Sequence, residues 1–263
     1  MLLKIISYFA GLISRIKIPK FLRTKIFGLY ISFYHVDVND FKKPIEDFTS
    51  FQDFFTREVK NRKIDSSNIV SPVDGKIVDF GKIKDSINVK NFSYYIEAFL
   101  CNKKLSKTFE NGYFLTIYLS PKDYHRIHSP IQGSITGWIG RAGRLKTVNP
   151  KKSNNYVLST NERVVTLIDS SELGKLALIK VGALNVGSIY LNYLKLNLGN
   201  NLSSLILRNP YPQEISKVDI NVEKGEEIAR FNLGSTVVLC TEKDILNLDS
   251  LANNQSLKMG QAI

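Results

Sequence analysis

Cysteine and histidine are scarce in this chain of 263 residues, which holds two cysteines and three histidines. Cys101 and Cys240 lie far apart and show no metal-ligand spacing, which argues against a zinc site, so no metal is expected. The same scarcity argues against a scaffold built on disulfides. Two buried thiols in a reducing compartment fit the pattern better.

Long apolar runs are also missing. No stretch approaches the roughly 20 apolar residues that a membrane-spanning helix needs. The N-terminal segment Ile5–Ser14 loosely imitates a signal peptide, but it lacks a small-residue cleavage site, and basic residues follow it. We therefore expect the N-terminus to be retained.

Acidic residues are absent before Asp37, whereas basic residues are frequent in that stretch. Apolar residues recur there at steps of three and four, which predicts a helix: Leu2, Ile5, Ile6, Phe9, Leu12, Ile13 and Ile16. Pro19 breaks this pattern, and a second helix is predicted from Lys20 to Phe33. A basic amphipathic helix can lie in a membrane interface, or it can pack on its own domain, and the pattern alone leaves both open.

The excess of basic residues, 36 Lys and Arg against 24 Asp and Glu, gives a formal charge of +12. Such a charge suits an anionic partner, either a membrane surface or nucleic acid. The basic residues are spread along the chain, and no nucleic-acid-binding motif is present, so no nucleic-acid partner is expected.

The sequence pattern is helical in the N-terminal part and becomes typical of β-strands beyond Ile69. The spacing of the phenylalanines predicts one more helix from Phe48 to Arg62. Short apolar runs between turn-forming clusters then predict strands: Lys76–Phe80, Tyr113–Leu119, Gly133–Ile139, Arg163–Asp169, Lys175–Val181, Ser188–Leu194, Ile215–Val222 and Thr236–Cys240. Lys195–Gln213 is predicted to be an irregular excursion with room for a short strand. The expected fold is α+β, with N-terminal amphipathic helices before a mainly antiparallel, barrel- or sandwich-like β core.

One internal repeat is visible. Ser71–Val78 and Ser129–Thr136 share a serine and a proline, then a glycine and apolar residues that enter a predicted strand. We interpret the two segments as a duplicated turn-strand motif. Segments without a pseudo-symmetric relation in the structure would contradict this interpretation.

Three places could carry chemistry, and each has a plain alternative. His125 and His128 could act as general acid or base, or one could be packed and the other exposed. Asp74 could orient a histidine, or it could simply form a turn before a glycine. Gly234 and Ser235 precede an apolar run and could be an ordinary turn, since the hydrolase nucleophile motif is absent.

Several segments together resemble bacterial-type phosphatidylserine decarboxylases, from about residue 45 to residue 240. The most specific are Tyr118–His128, which ends in Tyr-His-Arg-Ile-His, and Phe231–Val237, which contains Leu-Gly-Ser-Thr. Further matching segments keep the order of the family: Phe48–Glu58, Ser71–Gly75, Gly143–Pro150, Asn161–Val165, Val181–Ile189 and Lys224–Ile228. Leu158–Thr160 and the Lys195–Gln213 excursion depart from the family pattern.

The resemblance implies a proenzyme that cuts itself between Gly234 and Ser235. It implies a β chain of residues 1–234 and an α chain of residues 235–263, paired as a heterodimer, and it leaves a further dimer open. Ser235 becomes a pyruvoyl group, the covalent cofactor. The implied self-cleavage triad is Asp74, His128 and Ser235, while His125 positions the substrate or transfers a proton.

The implied activity is decarboxylation of phosphatidylserine to phosphatidylethanolamine and CO2 through a Schiff base of the pyruvoyl group. Residues 1–65 are then a membrane-associating helical region and residues 66–263 the β-rich catalytic domain. The expected location is peripheral, on the cytoplasmic face of the cell membrane, at an anionic surface. Two alternatives stay open: a pyruvoyl decarboxylase of another amino acid, and a non-enzymatic β-barrel module that carries groups or docks partners.

Overall fold

The computed structural model describes residues 2–60, 62–84, 86–89, 92–149, 156–183, 188–198, 211–212, 214–232 and 235–263. The α-helices in these residues are α1 (Leu2–Ser14), α2 (Lys20–Tyr34), α3 (Phe51–Phe55), α4 (Ile96–Leu100), α5 (Lys103–Thr108) and α6 (Val157–Thr160). Short 3-10 helices lie at Ile45–Asp47, Asn192–Leu194 and Leu248–Ser250. The two long helices are the first two, as the apolar spacing predicts.

Fourteen β-strands follow the helical front in the described residues. They are β1 (Gly75–Lys82), β2 (Ser86–Val89), β3 (Phe92–Tyr95), β4 (Tyr113–Leu119), β5 (Arg126–His128), β6 (Gly133–Arg141), β7 (Arg163–Ser170), β8 (Gly174–Val181), β9 (Ile189–Leu191), β10 (Leu196–Leu198), β11 (Ser216–Val222), β12 (Glu227–Phe231), β13 (Ser235–Thr241) and β14 (Ser256–Leu257). Each of the eight predicted strands contains a strand of the structure: Tyr113–Leu119 has the predicted ends, six others have shifted ends, and of Ser188–Leu194 only Ile189–Leu191 is a strand, because Asn192–Leu194 is a 3-10 helix. The short strand expected inside the excursion is β10, and residues 199–210 and 213 of that excursion lie outside the described residues.

The strands form three antiparallel sheets. The largest has the order β11-β6-β7-β8-β13-β4-β1-β14, the second has the order β10-β9-β12-β5, and the third pairs β2 with β3. Strand β13 lies between β8 and β4 in the largest sheet, and all seven of its residues are buried. The predicted α+β class with a mainly antiparallel β core is therefore confirmed.

The helix predicted from Phe48 to Arg62 is wrong in its length, because only Phe51–Phe55 is helical. Beyond it the chain is extended and pairs with the segment around residue 41. The Lys42 N–H donates to the Glu58 carbonyl, and the Lys60 N–H donates to the Asp40 carbonyl. This long-range pairing outweighs the helical spacing of the phenylalanines.

The repeated segments make matching hydrogen bonds, which supports the duplication. The Ser71 hydroxyl donates to the Val73 carbonyl at 2.8 Å, and the Ser129 hydroxyl donates to the Ile131 carbonyl at 2.7 Å. Each serine carbonyl also accepts an N–H from a glycine with positive φ. That glycine is Gly260, at +87°, for Ser71 and Gly225, at +85°, for Ser129. The two turns are thus held by equivalent hydrogen bonds from glycines later in the chain, Gly260 and Gly225, and each of these bonds is called a clip below.

The buried apolar residues form two clusters. The smaller one gathers residues of the helical front, with Phe27, Phe48 and Phe54 fully buried. The larger one runs from Ile69 to Ile263 and fills the space around the sheets. The division at residue 65 stays a prediction, since side chains of the front also bond to the β-rich part. The Tyr30 hydroxyl, for example, donates to the Pro121 carbonyl at 3.0 Å.

Exposed apolar residues are concentrated on α1, α2 and the residues next to them. Eleven of the thirteen large hydrophobic residues exposed in the described structure lie in the first 38 positions: Ile6, Phe9, Leu12, Ile13, Ile16, Phe21, Ile26, Leu29, Phe33, Tyr34 and Val38. Only Phe27 of α2 is fully buried. Among the helices described, none combines the length and hydropathy of a membrane span.

Candidate active site

Ser235 is the first residue of β13, a central strand of the largest sheet. It lies opposite Leu119, the last residue of β4, and its side chain is buried. Its Oγ has no hydrogen-bond partner among the described residues. A buried hydroxyl without a partner is costly, so this atom is available for chemistry rather than for structure. The preceding residues Leu233 and Gly234, and with them the predicted cleavage bond, lie outside the described residues.

His125 follows the turn that leaves β4. Its side chain is fully buried, with the ring centroid 4.1 Å from that of Phe55. Nδ1 lies 2.8 Å from the Asp123 carbonyl oxygen. A carbonyl only accepts, so Nδ1 carries the hydrogen, and Nε2 of the neutral ring keeps its lone pair. Nε2 is buried and unpartnered within the described structure.

Burial strongly favours the neutral form of His125. Loss of hydration is the largest cause, and the nearby charge of Arg57 adds to it, whereas the bond to the Asp123 carbonyl opposes both. Together they lower the pKa of His125 to about 3. The residue is therefore a neutral ring at pH 7, with an unpartnered lone pair on Nε2.

Two segments of the chain that lie near Ser235 also lead to His125: the end of β12 and the turn after β4. The Phe231 N–H, four residues before Ser235, donates to the His125 carbonyl at 3.0 Å. On the other side, β4 ends at Leu119, opposite Ser235, and the next turn leads to His125. The turn is held by Asp123, whose Oδ2 accepts the Ser120 N–H at 2.7 Å. His125 is thus connected to two strands near Ser235 in the chain or the sheet: β12, which ends four residues before Ser235, and β4, which ends opposite it.

His128 has partners at both ring nitrogens. Nδ1 donates to the Gly225 carbonyl at 2.7 Å, and Nε2 accepts from the Tyr124 hydroxyl at 2.9 Å. Burial is the main cause that lowers its pKa. Unlike His125, this histidine has its basic nitrogen occupied.

Asp74 is buried just before β1 and is bonded to groups other than a histidine. Its Oδ1 pairs with Nη1 of Arg62 and accepts the Met259 N–H at 2.8 Å, while Lys258 Nζ lies 3.5 Å from Oδ2. The Arg62 guanidinium in turn lies 5.3 Å from the centre of the Tyr124 ring. Asp74 therefore connects to His128 through Arg62 and Tyr124. The triad of Asp74, His128 and Ser235 stays a prediction.

Sequence reasoning missed the residues that hold these side chains: Phe55, Arg57, Arg62 and Tyr124. Phe55 and Arg57 stand in the aromatic segment that matched the family, where the spacing of the phenylalanines was used only to predict a helix. An arginine directly after such a run was the available signal, because a buried guanidinium needs a specific reason. Tyr124 stands in the Tyr-His-Arg-Ile-His segment that matched the family, but no role was predicted for it, and Arg62 carries no comparable signal in the sequence.

The part of the chain that the structure describes contains no obvious metal-binding site. No group of three or more His, Cys, Asp or Glu side chains could hold an ion there. A cofactor made from Ser235 itself fits the site better. The residue is buried, its hydroxyl has no partner in the described residues, and its backbone pairs with Leu119 of β4, while β8 pairs with β13 from Thr236 onward.

Comparison with known proteins gives a consistent result. The model of the phosphatidylserine decarboxylase family matches residues 51–263. A phosphatidylserine decarboxylase proenzyme of Pseudoalteromonas translucida is 41% identical over 85% of this chain and 80% of its own length. The proenzyme of Alteromonas mediterranea is 37% identical over 89% and 74%, and that of Myxococcus xanthus 33% over 98% and 92%. The chain belongs to the phosphatidylserine decarboxylase family.

The family match covers the whole site but not the helical front. It includes Arg57, Asp74, His125, His128 and Ser235, whereas α1 and α2 precede its first residue. The surface formed by these two helices is therefore assessed from its own composition and exposure.

Proposed function

We propose that this protein is a carboxy-lyase that converts phosphatidylserine to phosphatidylethanolamine and CO2. Family membership supports the reaction, and one structural observation carries it. The hydroxyl of Ser235 is buried without a partner in the described residues at the start of the central strand β13, and Nε2 of the buried His125 is likewise unpartnered there. These are the groups that a self-processing decarboxylase of this family requires.

Self-cleavage makes the cofactor from Ser235. Its Oγ attacks the carbonyl carbon of Gly234, the peptide C–N bond breaks, and an ester to Oγ replaces it. Elimination then breaks the Oγ–Cβ bond, which leaves a carboxylate on Gly234 and dehydroalanine at position 235. Water converts the dehydroalanine to a pyruvoyl group and ammonia. The products are the β chain, residues 1–234, and the α chain, residues 235–263.

Asp74 and His128 serve this first reaction. His128 takes the hydroxyl proton through Nε2, so the Tyr124 hydroxyl must leave that nitrogen during cleavage. The Gly225 carbonyl holds the tautomer that makes Nε2 basic. Asp74 fixes Arg62 against the ring of Tyr124, the residue that controls access to His128.

Turnover depends on His125. The pyruvoyl group supplies a ketone that accepts the electrons released as CO2 leaves, which no unmodified side chain offers. His125 positions the substrate or transfers a proton through Nε2, whose lone pair has no partner in the described residues. Phe55 packs against the ring and keeps water away from it.

Decarboxylation is tested with the purified chain and phosphatidylserine in mixed micelles, with free serine as the second substrate. We expect phosphatidylethanolamine and CO2 from the lipid, slow or no reaction with free serine, and no reaction with the S235A variant. Preference for free serine would favour the alternative of a decarboxylase for a soluble amino acid. Activity of S235A would contradict the proposed cofactor.

The helices α1 and α2 bring the enzyme to its lipid substrate. The exposed apolar residues of these helices are flanked by basic residues and by no acidic residue before Asp37. Apolar side chains enter the acyl region, and each Lys or Arg near an anionic surface adds about 1 kcal/mol. We place the protein peripherally on the cytoplasmic face of the membrane. The buried, free thiols of Cys101 and Cys240 accord with a reducing compartment.

Membrane binding is tested by co-sedimentation with vesicles that contain anionic lipid. The variant replaces three exposed residues of α2, Phe21, Leu29 and Phe33, by serine and leaves the buried Phe27 intact. We expect at least tenfold weaker binding. The control is Tyr95→Ser, which removes an exposed aromatic ring outside the helical front. Equal binding of the triple variant and the control would contradict the role of α2.

A further inference from the structure

Arg57 is a buried cation that its own chain satisfies only in part. The side chain is almost fully buried, and Nη2 donates to the Lys122 carbonyl at 2.6 Å and to the Asp123 carbonyl at 3.1 Å. Nε and Nη1 are buried, and neither has a hydrogen-bond partner in the described part of the chain. Arg57 thus keeps three N–H hydrogens unused, one on Nε and two on Nη1.

No carboxylate is directly bonded to this guanidinium in the described residues, and Asp74 and Asp123 act on its charge only from a distance. The guanidinium lies 5.0 Å from the centre of the Phe41 ring and 5.7 Å from that of Phe54. Of the nearest acids, Asp123 accepts hydrogen bonds from the backbone and hydroxyl of Ser120, and Asp74 is paired with Arg62. A buried cation with unused donors and no directly bonded carboxylate is unfavourable, and an anion from outside the chain would supply the missing acceptors.

A cleft lies beside the side chain of Arg57. It has a volume of about 150 Å³, and its walls include Arg57, Arg62, Lys122, Asp123 and Tyr124. Charges of both signs line it, which suits a zwitterionic head group that carries two anionic groups and one ammonium. The cleft also borders the segment that holds His125, because the Asp123 carbonyl accepts from His125 as well.

We propose that Arg57 binds the phosphodiester of the phospholipid head group through its unused Nε–H and Nη1–H donors. The inference rests on the proposed function, since it names the group of the substrate that this cleft takes. Guanidinium is the side chain best suited to phosphate, because it is permanently charged and presents several donors in one plane.

The phosphodiester fits this role better than the carboxylate of the same head group. The carboxylate loses its charge as CO2 leaves, so an arginine bonded to it stabilises the bound substrate more than the transition state and slows the reaction. The phosphodiester keeps its charge throughout. An arginine bonded there contributes equally to both states and lowers KM without a penalty in kcat.

The test compares R57Q and R57K with the wild-type enzyme after self-cleavage. We expect R57Q to raise KM for phosphatidylserine by about 10- to 100-fold while kcat changes little, and R57K to have a smaller effect. K42Q is the matched control, since it removes an exposed positive charge from the same part of the chain. A fall in kcat at unchanged KM would overturn the proposal.

Two small probes separate the phosphate from the carboxylate. Glycerol 3-phosphate carries only the phosphate, and 3-hydroxypropionate carries only the carboxylate. We expect calorimetry to show that R57Q weakens binding of glycerol 3-phosphate and leaves that of 3-hydroxypropionate unchanged. The proposal would be overturned if R57Q lost binding of 3-hydroxypropionate alone. It would also be overturned if each probe bound equally well to R57Q and to the wild-type enzyme. These measurements need no turnover, so they can fail independently of the proposed decarboxylation.

The folding of the variants is checked by thermal unfolding and by the completeness of self-cleavage. Should R57Q misfold, the same comparison is made with R57K. A crystal structure of the wild-type enzyme with glycerol 3-phosphate gives an answer without any variant. Phosphate on Nε or Nη1 of Arg57 supports the proposal, and phosphate bound only elsewhere overturns it.

Discussion

Arg57 and His125 donate hydrogen bonds to the same acceptor, the carbonyl oxygen of Asp123. This shared acceptor fixes the hydrogen of His125 on Nδ1 and leaves Nε2 basic. His128 has the same tautomer, but its Nε2 accepts from Tyr124. Nε2 is therefore unpartnered in His125 and occupied in His128. Because of this difference, the functions of the two histidines can be separated by experiment.

Replacement of His125 by alanine is expected to leave self-cleavage intact and to lower kcat for phosphatidylserine by about 10²- to 10⁴-fold, the usual contribution of an acid-base group. Replacement of His128 by alanine is expected to slow self-cleavage by a similar factor. Gel electrophoresis follows the cleavage, and CO2 release follows turnover. Full activity of His125→Ala, or rapid cleavage of His128→Ala, would refute this division of roles.

Stability is expected to fall in mild acid because of His125. Its folded-state pKa of about 3 is below the ordinary value of 6.5, so between these values only the unfolded chain binds a proton at this residue. The contribution is complete above pH 6.5 and is lost as the pH falls toward 3, by up to about 1.4 kcal/mol per pH unit. Burial of His128 acts in the same direction.

Urea unfolding between pH 7 and pH 4 measures this loss. His125→Asn should reduce the slope of unfolding free energy against pH. His35→Asn is the control, because His35 is exposed and its left-handed backbone, with φ of 55°, suits asparagine. The same slope in both variants would show that His125 is not responsible.

Lys180 is expected to cost stability at neutral pH. It is fully buried on β8, and its Nζ donates to the Thr166 hydroxyl at 2.6 Å and to the Leu178 carbonyl at 3.1 Å. Burial lowers its pKa from 10.5 to about 7. The contribution to stability is therefore complete above pH 10.5 and is lost as the pH falls toward 7.

Lys180→Met should raise the thermal unfolding midpoint at pH 7, by roughly 2–4 °C for each kcal/mol gained. The gain should shrink as the pH rises toward 10. The Thr166 hydroxyl keeps the Tyr193 hydroxyl as a partner, 2.8 Å away. Lys217→Met, on an exposed position of β11, is the control. A gain that does not depend on pH would show that the buried charge is not the cause.

Gly260 is expected to be essential for the clip that joins the C-terminal segment to Ser71. With φ at +87°, an added Cβ would lie 2.8 Å from Cδ1 of Ile64. Gly260→Ala should lower the free energy of unfolding by about 1–2 kcal/mol from backbone strain alone. Gly225→Ala should cost a similar amount, because it has the same geometry against Ile64.

Gly28→Ala is the control for both glycine variants. It lies on α2 with no atom within 4 Å of the added Cβ, and alanine is the better helix former there by about 0.5–1 kcal/mol. Denaturant unfolding compares the three variants. A Gly260→Ala protein as stable as Gly28→Ala would contradict the clip.

The sequence predicted those parts of the fold that rest on local patterns. Apolar spacing placed α1 and α2, and apolar runs between turns placed the eight predicted strands. The helix from Phe48 failed, because the pairing of Glu58 and Lys60 with residues 40–42 is long-range and leaves no periodic signal. The strands β5 and β12 were missed for a similar reason, since both are short and carry charges.

Candidate site residues were found through the combination of motifs, whereas their partners were not. Asp74, His125, His128 and Ser235 stand in segments that matched a family. The hydrogen bonds from Arg57 to the turn before His125, and the ion pair of Arg62 with Asp74, depend on how separate segments pack. No spacing in the sequence encodes that packing.

Conversion of Ser235 to a pyruvoyl group is the central claim, and intact mass spectrometry of the purified protein tests it most directly. The account predicts two chains, residues 1–234 and residues 235–263, with a pyruvoyl group in place of the N-terminal serine of the shorter chain. It predicts a single uncut chain for Ser235→Ala. An uncut wild-type chain after prolonged incubation, or a shorter chain that begins with an ordinary serine, would contradict the account.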